Sequence, residues 1–401
     1  MPIRYRSIAQ ADLERWYDHV GEVFARTGRQ YFVNHVVNDP WAFLEGILVA
    51  EDTDAPTDDG HPLIVSTVRV FDRRLLIRGR EVRIGGIGEV STKPAYRRQG
   101  HSGRLLVMAS QLMAERGMPL SLLFTDNYGH YGRYGWRQVK MTWARATPHD
   151  LTTGRTPGVG LRPVDFAADL ELMMASYADF SHRLNGTVVR DSRAYWRDWV
   201  RCEIRDQGRI FLHHGQPVGF GRFPCRDQRI GLFDLGILNS HAELLPDYLH
   251  AVAAEAGMAL HIPGAVRRCC RAGIDARFSV SELPPYDEQM FKLIDGTAFL
   301  RAVFHGVATT LPAGTSINLK YESGDTKVHV SDGRLAIAQA AADAAGAISL
   351  TDEQLLGLVL VGWDNLRELA IAPPQVPAAV AAELRSIFTP SDWWFWSEDG
   401  Y

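Results

Sequence analysis

The sequence has little cysteine, no strong charge excess and no long apolar run. Its 401 residues include four cysteines, and no pair among Cys202, Cys225, Cys269 and Cys270 has the two-residue spacing of zinc or redox motifs. We therefore expect buried free thiols. The formal net charge of −4 gives no reason to expect nucleic acid or an anionic membrane as a partner. No run of about 18 apolar residues and no signal-peptide core occur, which favours a cytoplasmic protein.

The histidines indicate no metal site. His213, His214 and His241 have no second ligand type at a recognisable metal spacing. His250 shares a predicted helix face with acidic residues three and seven positions earlier, which we interpret as a solvated charged face. The sequence therefore predicts no metal cofactor.

The composition is that of a soluble globular protein, with 46% hydrophobic and 22% charged residues. A chain of this length exceeds one ordinary core, so we expect two or three domains.

The first third alternates between helical and strand patterns. A helix is predicted first, followed by strands, a polar loop and a hairpin, and then by a strand, a basic loop, a helix and a strand, as in α/β proteins. The predicted segments are a helix at 13–24, strands at 46–50 and 64–71, a loop at 52–62, a hairpin at 75–84, a strand at 87–92, a helix at 105–113 and a strand at 120–124.

The basic loop, Arg97-Arg98-Gln99-Gly100-His101-Ser102-Gly103, leads from a predicted strand into a predicted helix. The unpaired N–H groups and the dipole at a helix N-terminus favour a phosphate, and two arginines add charge-assisted hydrogen bonds. The spacing matches neither a P-loop nor a dinucleotide-binding motif, so coenzyme A is the phosphorylated ligand that fits. The alternative is a loop that only caps a surface helix.

Three phenols, Tyr128, Tyr131 and Tyr134, follow the predicted strand at 120–124 on a glycine-rich turn. Coenzyme A carries acyl groups as thioesters. Aminolysis of such a thioester would need a base for the amine and an acid for the departing thiolate, and a phenol suits the second task. The alternative is a packed Tyr/Gly loop.

The order of elements over residues 3–140 resembles the GNAT acetyltransferases. Their Arg/Gln-x-x-Gly-x-Gly/Ala motif corresponds to residues 97–102, with Ser102 in the last place. The segment YGRYGW at 131–136 resembles the enhanced intracellular survival family within that superfamily. This resemblance implies an α/β and α+β fold: a catalytic GNAT domain (1–150), a degenerate second copy (151–286) and a sterol-carrier-protein-like α+β domain (287–401).

The same resemblance implies roles for particular residues. Tyr131 would be the general acid, and the α-carboxylate of Tyr401 would be the general base, with Glu89 as its competitor. Trp393, Trp394, Phe395 and Trp396 would anchor the tail, or would only complete the third domain's core. Acetyl-CoA would contact Val90, Ser91, Thr92, Arg97, Arg98, Gln99, Gly100, His101, Ser102, Gly103, Asp126 and Asn127.

For Glu89 the sequence favours structural solvation, on the strand face opposite Val90. Glu398 and Asp399 would suit a multiply charged cation, or would be ordinary solvated charges.

The resemblance implies an acetyl-CoA-dependent N-acetyltransferase whose acceptor is an aminoglycoside-like polyamine or a lysine side chain. It also implies a homo-oligomer, since family members form hexamers. The competing hypothesis is a non-catalytic acyl-CoA or lipid sensor that works through the C-terminal domain and needs neither Tyr131 nor a free C-terminus.

Overall fold

The structure is a computed structural model that describes residues 2–57, 60–150, 156–204, 206–226, 229–284, 288–341, 344–396 and 399. The elements of the first segment are β1 Ile3–Ser7, α1 Leu13–Val23, α2 Arg29–Val37, β2 Ile47–Pro56, β3 Pro62–Ile77, β4 Arg80–Thr92, α3 His101–Glu115, β5 Leu120–Phe124, α4 Tyr128–Gly132 and β6 Arg137–Gln138.

The next segment is richer in short strands. Its elements are β7 Trp143–Pro148, β8 Val159–Pro163, α5 Phe166–Ser181, β9 Thr187–Val188, α6 Arg201–Ile204, β10 Gly208–His213, β11 Gln216–Arg222, β12 Cys225–Arg226, β13 Arg229–Gly231, β14 Asp234–Ile237, α7 Leu245–Ala256, β15 Leu260–Pro263, α8 Gly264–Cys269, α9 Arg271–Arg277 and β16 Phe278–Glu282.

The last segment completes the chain with β17 Gln289–Leu293, α10 Gly296–Phe304, β18 Ser316–Tyr321, β19 Gly324–Ser331, β20 Arg334–Gln339, β21 Ile348–Ser349, α11 Asp352–Val361 and α12 Ala378–Ile387.

These elements form three groups, which we call the first, second and third modules. The first module is the sheet β1-β2-β3-β4-β5-β17-β6, to which β9 adds at β3, with helices α1 to α4. The second module has two sheets, β14-β11-β10-β8 and β12-β13-β15-β7-β16, with helices α5 to α9. The third module is the sheet β20-β19-β18-β21 with helices α10 to α12. The predicted mixed α/β and α+β fold class is confirmed.

Like β9, which pairs with β3, two more strands join sheets away from their own sequence neighbours. Strand β17 lies between β5 and β6 in the first sheet, and β7 pairs with β15 and β16 in the second module. The predicted boundaries at 150 and 286 stay a prediction.

The local sequence accounts for the hairpin formed by β3 and β4. Strands β3 and β4 pair antiparallel and turn at Arg78 and Gly79, both of which have positive φ (51° and 73°). A two-residue turn with this backbone matches the right-handed twist of paired strands. The hairpin is therefore the predicted one, but its strands are longer than predicted, since β3 and β4 have 16 and 13 residues.

Several expectations about side chains and loops are wrong. Strand β2 runs on to Pro56 and β3 begins at Pro62, so about half of the predicted loop at 52–62 is strand. Cys202 and Cys225 are exposed, and Cys269 and Cys270 are half-buried, so the thiols are less buried than expected. His250 is buried, and its Nε2 lies 2.8 Å from the carbonyl oxygen of Asp150, because its helix face packs inward.

Candidate active site

A cleft of about 700 Å³ opens in the first module between the start of α3 and the turn that contains Tyr131. Its size is within the range of small-molecule sites. The cleft is lined by Val23, Phe24, Val90, Ser91, Thr92, Arg97, Arg98, Gly100, Ser102, Gly103, Asn127, His130, Tyr131, Arg133 and Tyr134.

The basic loop enters α3 through a tight left-handed turn. Gly100 is the N-cap residue, with φ of 85° and ψ of 4°, and Arg98 also has a positive φ of 62°. The first intrahelical hydrogen bond is donated by Arg104 to Gly100, so the N–H groups of residues 101–103 belong to the unpaired first turn. The 15-residue helix therefore presents an anion-binding N-terminus to the cleft.

Two of the predicted loop residues direct their side chains to hydrogen bonds with other protein groups. His101 is buried, and its Nδ1 lies 2.7 Å from the Tyr5 hydroxyl. Gln99 donates from its side-chain amide to the Ala95 carbonyl, at 3.2 Å. Neither side chain lines the cleft, whereas both arginines do. Arg97 also donates from Nε to the Thr92 carbonyl, which ties the loop back to the end of β4.

The strand before the loop separates from its neighbour beside the cleft. Among the described residues the parallel ladder between β4 and β5 runs from Ile84–Leu120 to Ile87–Leu123 and ends there. Strand β4 continues to Thr92 while it stays paired with β3. Residues 88–92 therefore extend beyond the ladder with β5, and Val90, Ser91 and Thr92 line the cleft.

A bulge lies where β4 leaves β5. The register with β3 shifts between Thr67 and Arg69, and Glu89 has a positive φ of 55°. Such a bulge re-aims side chains and bends the strand. The expectation of a solvated Glu89 is wrong, because its carboxylate is buried and pairs with Arg69, at 3.2 Å.

Helix α1 holds the end of β4 through His19. The Nδ1 of His19 lies 3.0 Å from the Ile64 carbonyl oxygen, and the Nε2 lies 3.0 Å from the Ser91 hydroxyl. Because a carbonyl only accepts, Nδ1 carries the proton and Nε2 accepts from Ser91. Burial lowers the pKa of His19 to about 4, so the ring is neutral near pH 7. No local sequence pattern indicated this contact.

Tyr131 lies at the end of the cleft nearest β5. Its ring packs edge-on against His130 and Trp136, with centroids 5.0 and 6.4 Å apart. Burial, with a smaller contribution from the Asp126 carboxylate, raises the pKa of Tyr131 to about 12. The phenol therefore keeps its proton at neutral pH. Asn127 also lines the cleft, and the Asp126 side chain does not.

Residues that sequence reasoning missed complete the lining: Val23, Phe24, His130 and Arg133. Tyr134, one of the three phenols named from the sequence, also lines the cleft. A Cβ at Gly103 would overlap the Tyr134 hydroxyl, which explains the glycine at that position. Val23 and Phe24 come from the end of α1, far along the chain from the loop, and carried no signal in the sequence.

The aromatic tail is buried. Trp393, Trp394, Phe395 and Trp396 are 3%, 2%, 1% and 0% exposed. Phe395 packs against Phe124, the last residue of β5, with ring centroids 5.4 Å apart. The predicted base, the carboxylate of Tyr401, lies outside the described residues, as does Glu398. Asp399 is described and fully buried, so the expectation that it is solvated or a cation site is wrong.

Across the described part of the chain, no three His, Cys, Asp or Glu side chains are grouped to hold a metal ion. None of the described helices combines the length and the apolar character needed to span a bilayer.

Comparison with known proteins supports an acyl-transfer site. Residues 4–139 match the model of the acetyltransferase (GNAT) domain family. An uncharacterized N-acetyltransferase from Streptomyces griseus is 30% identical over 141 residues, which is 33% of this chain and 34% of that protein. The matched part of the chain thus spans about a third of the length of this curated relative.

Two solved structures share the fold over the whole of both chains. A GCN5-related N-acetyltransferase from Anabaena variabilis has a TM-score of 0.74 and 15% identity. Eis1 from Mycobacterium abscessus has a TM-score of 0.67 and 16% identity. The predicted resemblance to the enhanced intracellular survival family is confirmed in the fold.

Proposed function

Starting from a GNAT acetyltransferase domain at residues 4–139, we propose that the protein transfers an acetyl group from acetyl-CoA to an amine. The observation that carries this proposal is that the start of α3, the end of β4 and Tyr131 all line one cleft. The three features match what a phosphorylated thioester requires, namely an anion site, a strand edge and an acid.

The donor side fits coenzyme A by the chemistry of its groups. The N–H groups at the start of α3 and the side chains of Arg97 and Arg98 would bind the pyrophosphate. The unpaired edge of β4 from Val90 to Thr92 would hydrogen-bond the amides of the pantetheine arm, as an added strand does. Both groups line one cleft of about 700 Å³, which supports an extended ligand lying between them.

The transfer needs an acid at the sulfur. The amine nitrogen attacks the thioester carbonyl carbon, and the C–S bond breaks. Tyr131 gives its proton to the departing sulfur, and its phenolate then takes the proton that the nitrogen loses as the amide forms. A phenol with its pKa raised to about 12 holds its proton at neutral pH until the thiolate departs, and it is a strong base once ionised. Asn127, which lines the same end of the cleft, would hold the thioester end.

The transfer also needs a base for the ammonium form of the acceptor. We assign this role to the carboxylate of Tyr401. The buried aromatic anchor at 393–396 and the contact of Phe395 with the end of β5 support a tail that leads to the site. Glu89 is the weaker candidate, because its carboxylate already pairs with Arg69 and lies 3.6 Å from Nδ1 of His35.

The remaining assignments also belong to the proposal. The acceptor is an aminoglycoside-like polyamine or a lysine side chain, and the chain acts in the cytoplasm as a homo-oligomer, in the form of a hexamer. Residues 287–401, which include the third module, form the sterol-carrier-protein-like domain. Its four-stranded sheet with helices α10 to α12 is compatible with an α+β domain of that kind.

Thiol release from acetyl-CoA mixed with amines tests the function. We expect turnover with polyamines or with lysine peptides, and the comparison between the two classes identifies the acceptor. Deleting Tyr401, or adding residues after it, should abolish turnover with the melting temperature and acetyl-CoA binding nearly unchanged, while an N-terminal extension should be tolerated.

Two results would change these assignments. Full turnover by the C-terminally extended chain would move the role of base to Glu89 or to water. Tight acetyl-CoA binding without thiol release in the presence of any tested amine would favour the non-catalytic sensor.

A further inference from the structure

The tail contacts three strands, β17, β7 and β5, before it reaches its last described residue. The indole Nε1 of Trp393 donates to the Gln289 side chain in β17, at 3.2 Å. Trp394 packs edge-on against Trp143 in β7, with centroids 5.0 Å apart, and Phe395 packs on the end of β5. The tail is thus held by specific partners up to residue 396.

Asp399 is held by the second module. Its two carboxylate oxygens accept from Nε and one terminal nitrogen of Arg190, each at 2.8 Å. One oxygen also accepts from the Tyr195 hydroxyl, at 3.0 Å. The other terminal nitrogen of Arg190 donates to Asp234, at 2.7 Å. The Arg190, Asp234 and Asp399 side chains are 0% exposed.

The charges of this cluster are unusual for a core. One guanidinium faces two carboxylates, and it is flanked by the Tyr177 and Trp196 rings at 4.1 and 5.3 Å. Replacing a buried ion pair by apolar residues is often neutral or stabilising, so such a pair is weak evidence of a role in stability alone. A bidentate arginine fixes both the distance and the angle of a carboxylate. The arrangement is therefore suited to holding the tail in one position.

A path of buried contacts joins this cluster to the bulge in β4. The Tyr195 ring lies 5.6 Å from the guanidinium of Arg73, which pairs with Asp39 at 3.1 Å. Asp39 also lies 3.5 Å from Arg69, the partner of Glu89. Glu89 directly precedes Val90, which lines the cleft. The tail is therefore fixed on the side of the first module where β4 separates from β5.

We propose that Arg190 and Asp234 of the second module form a latch that captures Asp399 and so positions the end of the chain at the acetyltransferase site. Tyr401 comes two residues after Asp399 in the sequence, and two extended residues span at most about 7 Å, so a fixed Asp399 limits the reach of the Tyr401 carboxylate. Arg190 and Asp399 are thus positioning residues. This inference rests on the proposed function, in which the carboxylate of Tyr401 is the base.

The test compares Asp399→Asn with a matched control, Asp169→Asn. Asp169 has a buried carboxylate in the same module, held by Arg162 at 2.7 and 2.5 Å, and belongs to neither the cleft nor the tail. We expect Asp399→Asn to lower kcat roughly tenfold to a hundredfold with little change in the KM for acetyl-CoA, because the donor site is untouched. The control should keep the parent's kcat.

A second readout does not depend on activity. Carboxypeptidase A releases a C-terminal aromatic residue only when the tail is accessible, so Asp399→Asn should release tyrosine at least about tenfold faster than parent and control. Arg190→Lys, which keeps the charge but not the bidentate geometry, should lie between the two. If either variant fails to fold, Tyr195→Phe removes one hydrogen bond to Asp399 and should shift both readouts in the same direction.

The outcomes separate the latch from the proposed function. Tyrosine release and kcat equal to those of the Asp169→Asn control would overturn the latch. Faster release with unchanged kcat would overturn its positioning role. A parent chain without turnover, or one insensitive to C-terminal extension, would instead contradict the proposed function, while tyrosine release would still report on the latch.

Discussion

The first and second modules repeat one unit, a strand, a helix and a strand, with different consequences. In the first module β4 and β5 share a sheet, pair over four residues and then separate to open the cleft. In the second module β14 and β15, on either side of α7, belong to two different sheets. Strands β4 and β5 thus separate over part of their length, whereas β14 and β15 do not pair at all. The second pair of strands therefore forms no cleft like that between β4 and β5.

The connections differ as much as the strands. Residues 97–103 supply two arginines and two glycines, whereas residues 238–244 contain neither arginine nor glycine. Helix α7 also has Pro246 in its first turn and buries Leu245, Tyr248 and Leu249 there. The proposed phosphate site thus depends on the loop that precedes the helix. In the second module a buried arginine, Arg190, binds Asp399 of the tail.

We expect the largest difference in kcat between the phenylalanine variants of two tyrosines, Tyr131 in the first module and Tyr248 in the second. Tyr131→Phe removes the proposed acid, so kcat should fall roughly 10²-fold or more with folding intact. Tyr248→Phe removes a hydroxyl that donates to the Leu212 carbonyl, at 3.1 Å, and should cost about 1 kcal/mol of stability with kcat unchanged. Steady-state thiol release and thermal melts measure both variants. Equal kcat values for Tyr131→Phe and the parent would transfer the role of acid to Tyr128 or to water.

A smaller effect should appear in the acid sensitivity of the first module. The pKa of His19 is lowered to about 4 from the usual 6.5, so the unfolded state binds the proton more strongly. This contribution to stability is complete above pH 6.5 and is lost as the pH falls towards 4. It amounts to about 3 kcal/mol in all, and about 2 kcal/mol should be lost between pH 7 and pH 5.

Urea unfolding at the two pH values, for the parent and for His19→Gln, isolates this contribution. The glutamine does not titrate, so the variant should lose less stability on acidification than the parent. An identical loss in both proteins would show that His19 is not the sensitive group.

Local signals predicted the elements around the cleft well. The helix at 105–113 and the strand at 120–124 were recognisable because apolar periodicity, glycine and proline act within a few residues. The structure gives α3 as His101–Glu115 and β5 as Leu120–Phe124. The loop motif at 97–102 is likewise local, and most of its residues line the cleft.

Contacts between distant segments were not predictable in the same way. Strand alternation assumed a regular β4, whereas the bulge at Glu89 turns its carboxylate towards Arg69. The pairing of β17 with β5 and the capture of Asp399 by Arg190 join segments far apart in sequence. A short apolar run or a single aspartate does not indicate which distant segment it contacts. These contacts could therefore be identified only from the structure.

The most direct test of the account is a titration of acetyl-CoA against the parent, Gly100→Val and Gly257→Val. Both glycines have positive φ, 85° and 66°, and open space where a Cβ would stand, so valine brings similar backbone strain to each module. We predict one binding site per chain, an affinity weakened at least about tenfold by Gly100→Val, and no change with Gly257→Val. Two sites per chain, or equal affinities for all three folded proteins, would contradict the claim that the loop of the first module binds the acyl donor.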